Sequence, residues 1–312
     1  MNKANRPLRA TTDSQHESSG SGFFLGLGAY GLWGVLPIYF KALKGIPAID
    51  IVAHRVLWSL PFLAVLILVS RGWSKVRGAA TSPKTLGVLC VTSLLIGGNW
   101  LLYVYAVTSG HILAASFGYY LNPLANVILG RFVLHERLNR LQWTAVAIAA
   151  AGISVLAAGA LGQLWISLTL CVTFATYGLL RKIVPADAVT GLAIETGILF
   201  PVAIAWLAWR YSSGAPVMGT DEFLTGMLMA AGVVSTTPLL LFTAAAKRLP
   251  YSTLGMLQFI APTLQLLIGV LLYGERFTMA HAIAFSAIWV ALALYVTALL
   301  RARSPRLPQP PE

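Results

Sequence analysis

Charge is scarce in this chain. Only 10% of its 312 residues are Asp, Glu, Lys or Arg, where an ordinary soluble domain carries about a quarter. With 57% hydrophobic residues and a mean hydropathy of +0.76, it cannot cover itself with a water-compatible surface, so a lipid bilayer is its expected solvent. Acidic residues are scarcer still, 10 against 22 basic, for a net charge of +12. The basic residues stand singly or in small groups between apolar runs, the wrong layout for tracking phosphates, and nucleic acid is not an expected partner. Cysteine is nearly missing. Cys90 and Cys171 both lie in apolar runs without a CxxC or Cys/His cluster, which argues against a disulfide framework or a zinc site and for buried, inert thiols. The histidines (His16, His54, His111, His135, His281) are scattered over tails, turns and separate helix ends, so neither metal nor cofactor is expected. A G-x-x-x-x-G-K-[ST] loop is absent, which argues against direct ATP drive, and no nucleophile elbow occurs. Residues 1–21 hold no apolar core before Phe23 and read as a disordered cytoplasmic tail. The first apolar run lacks a small-x-small cleavage site, so a removed signal peptide is not expected. Residues 301–312, RARSPRLPQPPE, read as a second cytoplasmic tail.

Long apolar runs are what the chain does have. A helix needs about 20 mostly apolar residues to cross the hydrocarbon core, and ten segments qualify: 23–40, 51–70, 86–106, 112–134, 141–159, 162–180, 190–209, 224–246, 252–273 and 280–300. Lysine and arginine test that division. With the N-terminus in the cytoplasm, basic residues crowd the cytoplasmic segments, from Lys3 through Arg71, Lys75, Arg137, Arg181 and Lys247 to Arg306. The opposite side keeps only Lys41, Lys44, Arg210 and Arg276. This asymmetry is what the positive-inside rule requires, and one helix more or fewer would scramble it.

The runs also repeat. FGYYLNPLANVILGRFVLHER (117–137) returns as MLQFIAPTLQLLIGVLLYGER (256–276), placing Pro123 on Pro262, Gly130 on Gly269, Glu136 on Glu275 and Arg137 on Arg276. Upstream, Arg55 and Pro61 fall on Glu195 and Pro201. Five helices per copy is an odd number, so the second copy enters the bilayer upside down. The expectation is an all-α integral membrane protein of ten transmembrane helices, built as two inverted five-helix repeats over 22–160 and 161–300. Inverted repeats are the geometric basis of alternating access in many secondary transporters.

These residues resemble a known family. Two five-helix halves, each with a Pro-containing fourth helix ending in Gly…Glu-Arg, are similar to tandem EamA units of the drug/metabolite transporter superfamily. AYGLWGVLPIYFK, HRVLWS, IGGNWLLYVYAV, GYYLNPLANVILG, GLAIETGILFP and STLGMLQFIAPT resemble the RarD subgroup over about Phe23 to Leu300. The resemblance implies a multi-pass transporter of small organic solutes in the bacterial inner membrane, linked by its name to chloramphenicol sensitivity. It supplies no established substrate.

Polar residues inside apolar runs mark where chemistry can occur. Arg55 lies early in the second span, where an arginine costs up to about 2.5–3.5 kcal/mol on insertion scales. It either snorkels outward, pairs with Asp50 or a carbonyl, or faces a cavity and attracts an anionic group. His54, with Trp58 four residues on, extends a polar stripe beside it. Glu195, the repeat mate of Arg55, must pair, reach water or keep a proton. Pairing with Arg181 or Lys182 and coupling to proton movement are the alternatives. Asn99 and Tyr103 share a face of the third span beside Trp100. Tyr119 and Asn122 flank Pro123 in the fourth, and Gln258 and Gln265 flank Pro262 in the repeat. Together these residues form a candidate mid-membrane pocket; hydrogen bonding between helices is the alternative for Asn99 and Asn122. Trp33 of the first span is a further candidate wall. Glu136 and Glu275 end their helices against an unfavourable dipole, where Arg137 and Arg276 can neutralise them and Asn139 or Thr278 can cap the next helix. They read as structural corner posts, and Arg131 reads as snorkelling to the cytoplasmic side.

The function expected is therefore a secondary transporter of a small metabolite or drug, with lipid as its surroundings and proton or substrate exchange as candidate coupling. A passive channel-like permease is the alternative. An intramembrane lipid-modifying enzyme is a weaker one, because it would need acid and base groups clustered on facing helices and Glu195 is the sole deeply placed carboxylate.

Overall fold

In hydrocarbon, every backbone N–H and C=O must find a partner within its own segment, which leaves the helix as the form for isolated apolar runs. A computed structural model of the chain describes residues 7–43, 45–108, 112–157, 164–215, 218–219, 221–274 and 278–303, and among these no strand occurs. The described residues form twelve helices: α1 (Pro7–Ala42), α2 (Ala48–Val69), α3 (Trp73–Thr81), α4 (Pro83–Thr108), α5 (Ile112–Phe132), α6 (Arg140–Ala157), α7 (Leu164–Ile183), α8 (Ala188–Ser212), α9 (Glu222–Arg248), α10 (Tyr251–Leu257), α11 (Ile260–Tyr273) and α12 (Met279–Arg303).

Eight stretches are long and apolar enough to cross a membrane: Gly20–Ala42 of α1, then α2, Pro83–Tyr103 of α4, α7, α8, α9, α10 joined with α11, and Met279–Arg301 of α12. Helices α5 and α6 occupy the other two expected spans without being among those eight; the apolar part of α6, Arg140–Val155, is shorter.

Three features differ from the sequence expectation. Helical backbone begins at Pro7, inside the segment expected to be a disordered tail; proline fits a first helical turn, and a helix propagates readily from an apolar nucleus downstream. The link after α2 holds the short helix α3, whose polar composition hid it among loop residues. The ninth expected span is broken into α10 and α11 by a turn at Gln258 and Phe259. Pro262 has no N–H to give the Gln258 carbonyl. Ala261 N–H bonds it instead at 3.2 Å, a tighter i→i−3 contact.

The helices repeat as the sequence does. Helices α2 and α8 begin at Ala48 and Ala188, α4 and α9 at Pro83 and Glu222, α5 and α10 at Ile112 and Tyr251, and α6 and α12 at Arg140 and Met279. Packing follows the same exchange. Helix α1 packs on α9 and α7 on α4; α5 on α7 and α11 on α1; α2 on α9 and α8 on α4. The pairs α2/α8, α5/α10 and α6/α12 each join an element to its own counterpart. Even the caps match. Asn139 and Gln142 exchange backbone-to-side-chain bonds at 2.9 Å ahead of α6, and Thr278 and His281 do the same ahead of α12.

The central core joins Tyr30, Leu63, Phe174, Tyr177, Phe242 and Tyr251 from α1, α2, α7, α9 and α10. A second cluster fills the seam of α5, α6 and α12 around Val127, Ala149, Ile153, Phe259 and Ile288. Where α9 crosses α2, a side chain at Gly232 would strike the backbone of Trp58 and Ser59. Only glycine permits that approach, and the approach sets Ser59 beside Thr236.

Candidate functional site

Helices α2, α4, α8 and α9 form a small, partly open cavity lined by Arg55, Val56, Ser59, Trp100, Leu192, Thr196, Leu199, Thr236 and Leu239. Its volume of about 10 Å³ for water centres admits roughly one water molecule. Arg55 sits seven residues into α2, about 10 Å along the axis. Its guanidinium carbon lies 3.4 Å from the ring centroid of Trp100, a close cation–π stack. No described carboxylate comes within 4.0 Å of it. The sequence left pairing with Asp50 open, but Asp50 is taken. It accepts bonds from Trp206 Nε1 at 2.8 Å and from Arg210 Nη2 at 2.9 Å and Nε at 3.2 Å. Ser59 and Thr236 are tied to each other: Thr236 Oγ1 donates to Ser59 Oγ at 2.6 Å, and Ser59 Oγ donates to the Arg55 carbonyl at 2.6 Å.

Glu195 lies seven residues into α8, as deep from that helix's start as Arg55 is in α2. Unlike Arg55 it is fully engaged. Thr92 Oγ1 donates to Oε1 at 2.5 Å, Tyr177 OH to Oε2 at 3.3 Å, and Arg181 Nε stands 3.5 Å from Oε1. Arg181 is completely buried, its Nη2 donating to the carbonyls of Asp187 and Ala188. Gly191 makes room for it, since a Cβ there would overlap the guanidinium. The neighbouring helix ends are laced together. Lys182 of α7 donates to the carbonyls of Ala246 and Leu249 at the end of α9, and Lys247 of α9 donates to Val184 just past α7. Ammonium groups here satisfy orphan carbonyls and the negative ends of two dipoles. Asp187 caps α8 through the Thr190 amide at 2.8 Å and meets Lys75 at 3.5 Å. Burial alone would raise the carboxyl of Asp187, but the bonds from Thr190 and the charge of Lys75 outweigh it and hold the group below its ordinary value.

Glu136 has a different partner from the one its neighbours suggested. Its carboxylate accepts from Tyr251 N, from Ser252 N at 3.0 Å and from Ser252 Oγ at 2.6 Å, and so caps α10 from across the fold rather than pairing with Arg137. Its repeat mate Glu275, with Arg276, lies outside the described residues.

Of the remaining sequence candidates, only Trp100 joins Arg55 at the cavity wall. Asn99 is buried nearby. It donates to the Leu170 carbonyl at 2.9 Å and Thr173 Oγ1 at 2.8 Å, and accepts from Tyr119 OH at 3.2 Å. Tyr103 packs edge-on against Tyr119 at 5.7 Å. Trp33 belongs to an aromatic cluster with Tyr30, Phe174 and Phe242, at 5.6–5.9 Å. His54 is buried, and its Nδ1 has no hydrogen-bond partner among the described residues. Asn122 is wholly buried with neither amide atom hydrogen-bonded to a described residue, and Gln258 accepts from Asn126 Nδ2 at 3.0 Å. Gln265 is exposed, donating to the Trp33 carbonyl at 3.1 Å. Sequence reasoning missed Ser59, Thr196 and Thr236. Hydroxyls in apolar runs usually bond their own helix, and only the crossing at Gly232 brings Ser59 and Thr236 together. The offset of 139–140 residues held a usable signal, because it maps Val56 onto Thr196, Ser59 onto Leu199 and Trp100 onto Leu239.

Apolar helices of membrane-spanning length, with their polar groups gathered inside, define a multi-pass helical membrane protein. Residues 20–158 match the EamA-like transporter family. The chain is 45% identical over 286 residues to an uncharacterized transporter of Vibrio cholerae, covering 91% of this chain and 94% of that one. It is 45% identical over 283 residues to the protein RarD of Escherichia coli, covering 88% and 93%. Over 280 residues it is 32% identical to the chloramphenicol-sensitive protein RarD of Pseudomonas aeruginosa, covering 88% and 93%. A crystal structure of a protein 21% identical in sequence aligns with a TM-score of 0.70 over 91% of this chain and 99% of its own, a likeness of fold. The chain belongs to the EamA-like transporter family, in its RarD subgroup, and is a membrane transporter.

Proposed function

We propose that the protein is a secondary transporter that carries a small organic solute across the bacterial inner membrane by alternating access of two inverted five-helix halves. One observation carries this reading: the cavity is lined by repeat mates, Val56 with Thr196, Ser59 with Leu199, and Trp100 with Leu239. Six of the nine lining residues pair in this way, so the cavity lies close to where the two repeats meet, the place where solute sites of inverted-repeat carriers are found. The span count supports inversion. Helices α5 and α6 hold the repeat positions of α10–α11 and α12, which are long and apolar enough to cross, giving five spans per half. Both termini are then cytoplasmic, and Arg55 and Glu195 sit at equal depths from opposite faces. With room for about one water, the cavity here is contracted, and the halves must part to admit a solute. The Glu195–Arg181 pair, the crossed lysines and the Glu136 cap hold the α7, α9 and α10 ends together, so opening on that face has to break or move them. Uptake of labelled amino acids, carboxylates and amphenicols into liposomes containing the purified protein tests the reading. Protein-dependent entry of a solute from one of these classes is expected; the same leak for every solute, scaling with its size alone, would favour a pore.

A further inference from the structure

We infer that Arg55, stacked on Trp100, is the recognition site for the carboxylate of a small organic anion, which names the solute class of the transporter proposed above and rests on that reading. Two ionisable groups lie seven residues into their helices, Arg55 in α2 and Glu195 in α8. Glu195 has a counter-ion and two hydroxyl donors. Arg55 has no acid within 4.0 Å and no hydrogen-bond acceptor among the described residues; the indole of Trp100 lies beneath it, and the Tyr119 and Tyr177 side chains, whose hydroxyls donate elsewhere, are its other electrostatic neighbours. A guanidinium presents five N–H donors in a plane. Trp100 covers one face of that plane, the guanidinium N–H groups have no acceptor among the described residues, and once the cavity opens a carboxylate can bind along an edge by two parallel charge-assisted bonds. The same cavity wall offers the hydroxyl of Thr196, which has no hydrogen bond to a described residue, as a further donor. A cation held at this depth without an anion is costly, so the ligand that removes the cost gains selectivity over a neutral isostere.

The test measures thermal stabilisation of the purified protein in zwitterionic-lipid nanodiscs by acetate, benzoate and phenylacetate, each against its own amide. At least one carboxylate should stabilise the protein while its amide does not. Arg55→Gln should abolish the difference by weakening carboxylate binding about tenfold or more. Should Arg55→Gln fail to fold, Arg55→Lys decides: a point charge without the fork keeps the carboxylate preference at reduced affinity. Stabilisation by none of the carboxylates, equal stabilisation by the amides, or unchanged affinity in either variant overturns the assignment. So does loss of the effect when anionic lipid is added, which would give Arg55 to a headgroup. Carboxylate binding without carrier-type transport would leave this site standing and remove the transporter mechanism. Carrier transport of neutral solutes that ignores Arg55→Gln would do the reverse.

Discussion

Replacing Glu195 by glutamine should destabilise the fold far more than one lost hydrogen bond would. Arg181 is completely buried, and the Glu195 carboxylate is its one counter-ion among the described residues, 3.5 Å away. Among the described residues, the guanidinium in Glu195→Gln keeps only the Asp187 and Ala188 carbonyls, and its Nε and Nη1 already lack hydrogen bonds there. Leaving one partner of a buried pair uncompensated costs about 3–5 kcal/mol. Arg181→Met should cost less, because Thr92 and Tyr177 still donate to the remaining carboxyl. A double replacement, Arg181→Met with Glu195→Gln, removes both charges and should be less damaging than Glu195→Gln alone, with a coupling of about 2 kcal/mol or more. Denaturation in mixed micelles followed by tryptophan fluorescence measures all four corners of the cycle. A Glu195→Gln protein within about 1 kcal/mol of the parent, or a double variant that simply adds the two losses, would refute the structural ion pair. The carboxylate would then be free for a titrating role, and loss of pH-gradient-driven accumulation with exchange retained would be its signature.

Asn99→Ala removes three interhelical bonds and should cost about 2 kcal/mol at about 0.6 kcal/mol each, whereas Asn122→Ala, which removes no bond to a described residue, should unfold much like the parent; denaturation of both variants checks the contrast. Asp187→Ala should cost about 1 kcal/mol through the lost cap of α8. Because the folded carboxyl is held low, its contribution is complete above the ordinary aspartate range and disappears as pH falls through the folded value, so the parent and Asp187→Ala should converge in stability only in acid. Cysteines at the exposed positions Ser74 and Ser213, in a chain without Cys90 and Cys171, should label with an impermeant reagent from opposite sides of the membrane; labelling of both from outside would contradict the ten-span topology.

Eight of the apolar spans, the matching helix starts of the repeat and the helix caps were legible because they depend on local pattern: hydropathy, proline and glycine spacing, and Asn or Thr ahead of an apolar run. Arg181 as a partner for Glu195 was legible too, since basic groups at a helix end near a deep acid are few. The rest depends on which helices meet. Nothing local tells Asp50 that Trp206 and Arg210 will reach it from α8, or turns Glu136 from its own helix end to the start of α10. The crossed bonds of Lys182 and Lys247 require the ends of α7 and α9 to lie side by side. The pocket expected from Asn99, Tyr103, Tyr119, Asn122, Gln258 and Gln265 assumed that polar groups in proline-containing helices face one space. Packing instead commits Asn99 to α7 and Gln258 to Asn126, turns Gln265 outward, and leaves Arg55 and Trp100 facing hydroxyls that no motif announced.

Counterflow tests the alternating-access claim most directly. Liposomes holding the protein are preloaded with an excess of an unlabelled solute that enters in the uptake assay, then diluted into a trace of the same solute carrying label. A site exposed to one face at a time predicts a transient overshoot, with label rising inside above its outside concentration and then decaying as the preload leaves. Label that rises smoothly to equality, at a rate indifferent to the preload, would mean a static pore and would contradict the account.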